Sequence, residues 1–312
     1  MSPVPLTLSP EVADALAAGV PVVALETSIV AQGLPAPHNL EAALACEAAV
    51  RDAGAVPATV AVLDGELRLG LRRVDLERLA LPGPEVRKLS SRDLGPALAA
   101  RATGATTVAA TVRAAALAGV RFMATGGIGG VHRGPTQGPS GALSTRPEDV
   151  SADLHELARS PVAVVCSGPK MVLDIPATLE RLESLCVPVL GYGCDECPAF
   201  YTAHSGRLVS ARVDGPREAA RACAASWATG SAGLVLAVPP PEELLGAAGL
   251  VEQALAETAD LIGPSATPEL LSRIRDLSGG RSVRVNVRLV VENAAVAAFV
   301  AASFADRGAT DE

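Results

Sequence analysis

Val162-Ala163-Val164-Val165-Cys166-Ser167-Gly168-Pro169-Lys170 is an unbroken apolar run of strand length that stops at a Gly-Pro turn carrying a lysine. The residues after it, Ala177 to Leu185, have helical spacing, and Pro188 to Gly191 is a second short apolar run. Strand, helix and strand in that order require a crossover connection. Strands that are apolar throughout, rather than alternating, are covered on both faces. The unit predicts an α/β fold with a mostly parallel central sheet.

The same pattern repeats outward in both directions. Val22 to Leu25, Thr59 to Leu63, Phe122 to Thr125 and Gly233 to Val238 read as strands, the last broken by Pro239-Pro240-Pro241. Glu66 to Leu69 reads as the return arm of a hairpin turning at Asp64-Gly65. Asn39 to Ala53 reads as a helix stopped by Gly54, and Thr107 to Ala118 as one stopped by Gly119. Leu250 to Ala259, Pro268 to Leu277 and Val291 to Ala305 read as late helices. No linker divides the chain, so one domain over 1–312 is expected. Residues 1–10 and 307–312 are expected to be flexible ends, and Pro135 to Pro147, rich in Gly, Pro, Ser and Thr, a flexible surface loop.

Composition removes several function classes. The chain has 312 residues, a formal net charge of −8 and only 2% aromatic residues. That is poor material for a nucleic-acid groove, which needs cationic tracks and stacking platforms. No apolar stretch of bilayer length is free of Gly, Pro and charge, so no membrane span is expected. Met1 to Pro10 lacks the basic segment of a secretory signal, and six cysteines are too few for a disulfide scaffold of this size. The expectation is reduced thiols in the cytoplasm. Of the 26 basic residues only Lys88 and Lys170 are lysine, leaving 24 arginines. A coding bias explains the arginines. It explains the two lysines less well, since lysine differs from arginine in being able to give up its proton. Neither lysine is followed by Ser or Thr, which excludes a Walker A phosphate loop.

Four constellations could carry chemistry. Thr125-Gly126-Gly127-Ile128-Gly129-Gly130-Val131-His132-Arg133-Gly134 follows a predicted strand, where glycines let the backbone approach a ligand and turn N–H groups toward an anion. It is either a tight turn or, with His132 and Arg133, a phosphate or polar-ligand site. Asp149-Val150-Ser151-Ala152-Asp153 opens a helix; Ser151 or Asp153 serves as a cap, or Asp149 and Asp153 hold a hard cation such as Mn²⁺ or Mg²⁺, or sugar hydroxyls. Lys170 stands just past a buried parallel strand, where open α/β sheets bind ligands. It reads as a Schiff-base nucleophile or as a phosphate-binding or surface lysine. Glu26, after the first apolar strand, is a helix cap or a general acid/base. Cys194 and Cys197 form a C-x-x-C without a second metal-binding pair and read as unpaired thiols. His38, His155 and His204 are isolated.

Taken in order, Ala24-Leu25-Glu26-Thr27-Ser28, Gly33-Leu34-Pro35-x-Pro37-x-Asn39, Ser90-x-Arg92-Asp93-Leu94, Gly104-Ala105-Thr106-Thr107-Val108, the glycine cluster, Ser151-Ala152-Asp153-Leu154 and Ser167-Gly168-x-Lys170 resemble pseudouridine-5′-phosphate glycosidase. The likeness runs from about Pro21 to Ala301. It implies a layered α/β/α fold, Mn²⁺, a homotrimer, and reversible cleavage of the C–C glycosidic bond of pseudouridine 5′-phosphate to uracil and ribose 5-phosphate, in pseudouridine catabolism. By motif position it implies Lys170 as nucleophile, Glu26 as proton donor and Asp149 as metal ligand. Substrate contacts fall on Lys88, Val108, Ser151, Ala152 and Asp153, with Thr106 and Thr107 beside the phosphate and His132 and Asn293 as further pocket positions. The chain departs from the family pattern in having Glu26-Thr27-Ser28 for Glu-Ser-Thr, Glu292 before the late asparagine, and a longer Pro135 to Pro147 segment. The alternatives are a metal-dependent small-molecule phosphotransferase and a non-catalytic sugar-phosphate binding protein.

Overall fold

The computed structural model describes residues 6–81, 83, 85–133, 149–258 and 266–308; the Pro135 to Pro147 segment lies outside them. The strands are β1 (Leu6–Leu8), β2 (Val22–Leu25), β3 (Val56–Leu63), β4 (Glu66–Leu69), β5 (Val86–Leu89), β6 (Thr103–Thr106) and β7 (Phe122–Ala124). After them come β8 (Val131–His132), β9 (Ala163–Cys166), β10 (Leu173–Asp174), β11 (Val189–Tyr192), β12 (Ala211–Val213) and β13 (Leu234–Ala237). The main sheet has the order β1-β4-β3-β2-β7-β9-β13-β11-β12, with β6 also on β3 and β5 on β6. From β3 to β12 every neighbour is parallel, while β4 and β6 run antiparallel to β3. This is the mostly parallel α/β sheet expected.

The apolar runs are explained by two cores. Val23, Leu25, Ala163 and Val165 point to one face, beneath helices His38–Asp52, Pro216–Ala228 and Arg281–Gly308. Val22, Ala24, Val164 and Cys166 point to the other, beneath Pro10–Ala17 and Val108–Ala118. Alternate side chains thus enter different cores, and both must be apolar. The hairpin between β3 and β4 turns at Asp64 and Gly65, both at positive φ (54° and 85°), the backbone of a type I′ turn.

Three expectations are corrected. Leu6–Leu8 pair with β4 rather than belonging to a loose N-terminal arm, and Pro10 already opens a helix. The final helix begins at Arg281, not Val291. Val283, Val285 and Val287 alternate with polar residues and imitate a strand, but packing on the sheet and neighbouring helices overrides that local preference. Its segment Arg281–Asp306 is, by length and composition, apolar enough to cross a membrane, contrary to the sequence reading. Here it lies over the sheet, with Leu289, Ala294, Ala297 and Val300 fully buried in the core.

Candidate active site

Leu25, Ala124 and Val165 are neighbours in register across β2, β7 and β9, so these three parallel strands end together. At that carboxyl edge lies a cavity of about 440 Å³. Glu26, Lys88, Val108, His132, Asp149 and Lys170 line it. The Ser151-Ala152-Asp153 run and Thr107 complete the predicted wall. The two lysines of the chain, far apart in sequence, therefore face one space. Lys88 comes from β5, an edge strand the sequence reading did not assign.

Each side chain is held for an identifiable reason. The Glu26 carboxylate accepts from the hydroxyls of Ser28 and Thr125. The Lys170 ammonium donates to the Gly127 carbonyl at 2.6 Å. Its backbone N–H reaches the Ile128 carbonyl at 3.1 Å. Gly168 sets up this approach, with φ of +80° and the Pro198 carbonyl where a Cβ would stand. Burial holds Lys88 below the usual lysine range; the Lys170 charge adds to this, while Glu26 and Asp153 oppose it. Burial also lowers the His132 imidazole, with Lys170 and Lys88 acting the same way and Asp149 opposing.

Ser151 caps the helix Ala152–Leu157, accepting from the Asp153 N–H at 3.2 Å. Asp153 is a clamp. Its buried carboxylate accepts from Ala109 N–H at 2.9 Å and Gly129 N–H at 2.8 Å, tying the helix Val108–Ala118 to the glycine turn. Asp149 is exposed at the cavity, and its carbonyl accepts from the His132 N–H at 2.9 Å.

The glycine turn differs from its sequence reading as an anion cradle. The Ile128, Gly129 and Val131 N–H groups are spent on the Gly168 carbonyl, Asp153 and the Thr178 hydroxyl. Its glycines are required by packing: a Cβ on Gly127 would lie 2.6 Å from the Phe200 ring, and one on Gly129 2.6 Å from Cβ of Ser151. Arg133 turns away from the cavity, bonding Glu252 and the Met171 and Leu173 carbonyls. Thr106 and Asn293 are buried and stand behind the cavity wall. The Thr106 hydroxyl joins Thr27, Thr111 and the Val60 carbonyl, and the Asn293 amide donates to the Thr125 carbonyl at 2.9 Å. Cys194 and Cys197 are free thiols; burial pushes Cys197 up to about 12.

Residues absent from the sequence reading also face the cavity, among them Gln32, Phe200 and Asn286. A polar residue inside an apparent strand (Asn286) or a short π-turn (Gln32) gives no local sign of facing a ligand. Their side-chain oxygens, with the Thr107 hydroxyl, are buried without a hydrogen-bond partner.

Residues 11–303 match the family model described as indigoidine synthase A like protein. A pseudouridine-5′-phosphate glycosidase of Herpetosiphon aurantiacus is 50% identical over 307 residues, covering 95% of this chain and 97% of that one. One from Nocardioides sp. is also 50% identical, over 96% of this chain and 97% of its own. The chain belongs to the pseudouridine-5′-phosphate glycosidase family. Among solved structures of similar proteins, the prealnumycin C-glycosynthase AlnA in complex with ribulose 5-phosphate superposes with a TM-score of 0.85 at 36% identity, over 98% of both chains. An indigoidine synthase A-like protein of Thermotoga maritima gives the same TM-score at 29% identity, again over 98% of both chains.

Two of the departures from the family pattern are accommodated. Thr27 sends its hydroxyl to the Val60 carbonyl at 2.7 Å, leaving Ser28 to hold Glu26. Glu292 is exposed and does not line the cavity. The third, the Pro135 to Pro147 segment, lies outside the described residues.

Because Gly168 combines a left-handed backbone with the Pro198 carbonyl, Gly168→Ala is expected to lower stability by about 3 kcal/mol. A chemical-denaturation midpoint measures this, and residual activity should fall further than stability alone requires, since Lys170 follows two residues later.

Proposed function

We propose that this cavity makes and breaks the C–C bond between C1′ of ribose 5-phosphate and C5 of uracil, the reaction for which its relatives are named. The supporting observation is that the chain's two lysines and Glu26 meet at the carboxyl ends of β2, β7 and β9. A carbon leaving group cannot be released by protonating a glycosidic oxygen, so C1′ must be bonded to a nitrogen whose lone pair can replace the bond that is lost. In the synthetic direction Lys170 attacks the C1′ aldehyde of open-chain ribose 5-phosphate and water departs, giving an iminium whose C1′ accepts the electron pair of uracil C5. The C5 proton is lost, and the 4′-hydroxyl then displaces Lys170 to close the ring. Cleavage is the reverse: Lys170 displaces the ring oxygen at C1′, its nitrogen lone pair re-forms the iminium as the C1′–C5 bond pair leaves with the base carbon, and water releases ribose 5-phosphate. Glu26, held by two hydroxyls, delivers the proton to the base carbon that receives that pair.

The phosphate end is assigned to Lys88, the partnerless Thr107 hydroxyl and the N-terminus of the helix Val108–Ala118. Asp149 offers one exposed carboxylate, and no group of three His, Cys, Asp or Glu side chains converges among the described residues. Such a site fits a hard cation, Mn²⁺ in this reading, bound by Asp149 and otherwise by water or substrate oxygens. Bound there, the ion supplies charge neutralisation for the sugar phosphate. The proposal extends to a homotrimer, and to the cytoplasm, which suits six free thiols.

The direct test is release of uracil from pseudouridine 5′-phosphate, and its uptake in the presence of ribose 5-phosphate, followed chromatographically. A folded protein inactive in both directions, or one that transfers phosphate from ATP, overturns the reading. Since Lys88 is held below the usual lysine range, its charge is lost at lower pH than that of a free lysine. KM for the phosphorylated sugar is expected to rise correspondingly early on the alkaline side. Lys88→Arg, which stays charged, should remove that rise.

A further inference from the structure

Of the partnerless buried oxygens on residues that line the cavity, two belong to carboxamides, those of Gln32 and Asn286. Asn286 is 6% exposed, and its Oδ1 lies 3.3 Å from the Cβ position of Gly126. The edge of the Phe200 ring is also 3.3 Å from that position. Gly126 follows Thr125, whose hydroxyl holds Glu26, so this corner adjoins the proton donor. The orientation of Gln32 is fixed because its Nε2 donates to the Val86 carbonyl at 3.3 Å, which leaves Oε1 as the buried orphan. Gln32 and Asn286 both belong also to the wall of a second cavity of about 200 Å³. Both residues therefore belong to the wall shared by the two spaces.

We propose that the carboxamide oxygens of Gln32 and Asn286 read the base, each accepting one ring N–H, and so select a C-linked over an N-linked uracil. The inference rests on the function proposed above. A uracil attached through C5 keeps both N1–H and N3–H, and two buried acceptors without donors match two donors without acceptors. Uracil attached through N1 has one ring N–H and would leave one oxygen buried and unpaired, a costly mismatch. Phe200 provides the apolar surface beside the ring. It holds an unusual left-handed backbone (φ 64°), and its N–H is fixed on the Ser167 carbonyl at 2.7 Å.

The test is run in the synthetic direction with saturating ribose 5-phosphate, comparing uracil with 1-methyluracil and 3-methyluracil, each lacking one ring N–H. The wild-type protein is expected to lose at least about tenfold in kcat/KM for either methylated base. In Asn286→Leu and in Gln32→Leu, KM for uracil should rise about as much. In each variant one of the two methyl penalties should shrink, a different one in each. Wild-type protein that uses both methylated bases as well as uracil overturns the proposal whether or not either variant folds. Methyl penalties unchanged in two folded variants overturn it too. Failure of the underlying mechanism has a separate signature: no borohydride-trapped ribose 5-phosphate adduct on Lys170 in the wild type.

Discussion

Lys170→Arg is expected to give a folded protein whose turnover of pseudouridine 5′-phosphate has fallen by more than about 10⁴-fold. The substitution keeps a positive charge and hydrogen-bond donors near the Gly127 carbonyl, the acceptor of the lysine amine. What it removes is the ability to lose a proton and form a carbon–nitrogen double bond, which a guanidinium does not do at working pH. Affinity for ribose 5-phosphate should change far less than turnover, because Lys88 and Thr107 are untouched. Borohydride supplies the positive evidence. With ribose 5-phosphate present, hydride reduces the iminium to a stable secondary amine, and mass spectrometry should find the adduct on the peptide carrying Lys170. Turnover in the arginine variant above about a hundredth of wild type, or an adduct on Lys88 instead, would remove Lys170 from the centre of the mechanism.

The sequence made that experiment conceivable because its signal at Lys170 is local. An unbroken apolar run, a Gly-Pro turn and a lysine place the amine at the carboxyl edge of a buried strand without any knowledge of the partners. The same logic located Glu26 and the glycine turn, since both directly follow buried strands. It failed where function depends on which strands become neighbours. Lys88 sits in Val-Arg-Lys-Leu, a polar edge strand with no pattern of its own, and reaches the cavity only because β5 pairs with β6. It also failed where one residue type serves two ends. The glycines looked like a cradle for an anion, yet their crowding comes from Ser151, Phe200 and Thr178, side chains distant in sequence. Thr106 and Thr107 are adjacent, but one hydroxyl is consumed in a buried network and the other faces the cavity unpaired. Strand alternation puts them on opposite duties, and the motif alone cannot say which is which. The two lysines nevertheless carried real information. In a chain that otherwise uses arginine for positive charge, both line one cavity.

Glu26→Gln is expected to separate bond breaking from iminium formation. Glutamine preserves the shape, and the Ser28 and Thr125 hydroxyls can rotate to serve an amide in place of a carboxylate. Binding and folding should therefore survive. The amide cannot give up or take a proton, so kcat for cleavage should fall by about 10² to 10⁴-fold with KM little changed. Incubated with ribose 5-phosphate and borohydride, this variant should still acquire the adduct on Lys170, whereas Lys170→Arg should not. That contrast distinguishes a proton donor to the base from a group that activates the amine. If Glu26→Gln abolishes trapping as well as cleavage, the carboxylate acts earlier, on ring opening or on the lysine itself. The departing uracil carbon would then have to take its proton from another group at the cavity, of which His132 is the nearest in kind: an imidazole whose charged form is disfavoured by burial and by both lysines and therefore gives up its proton readily.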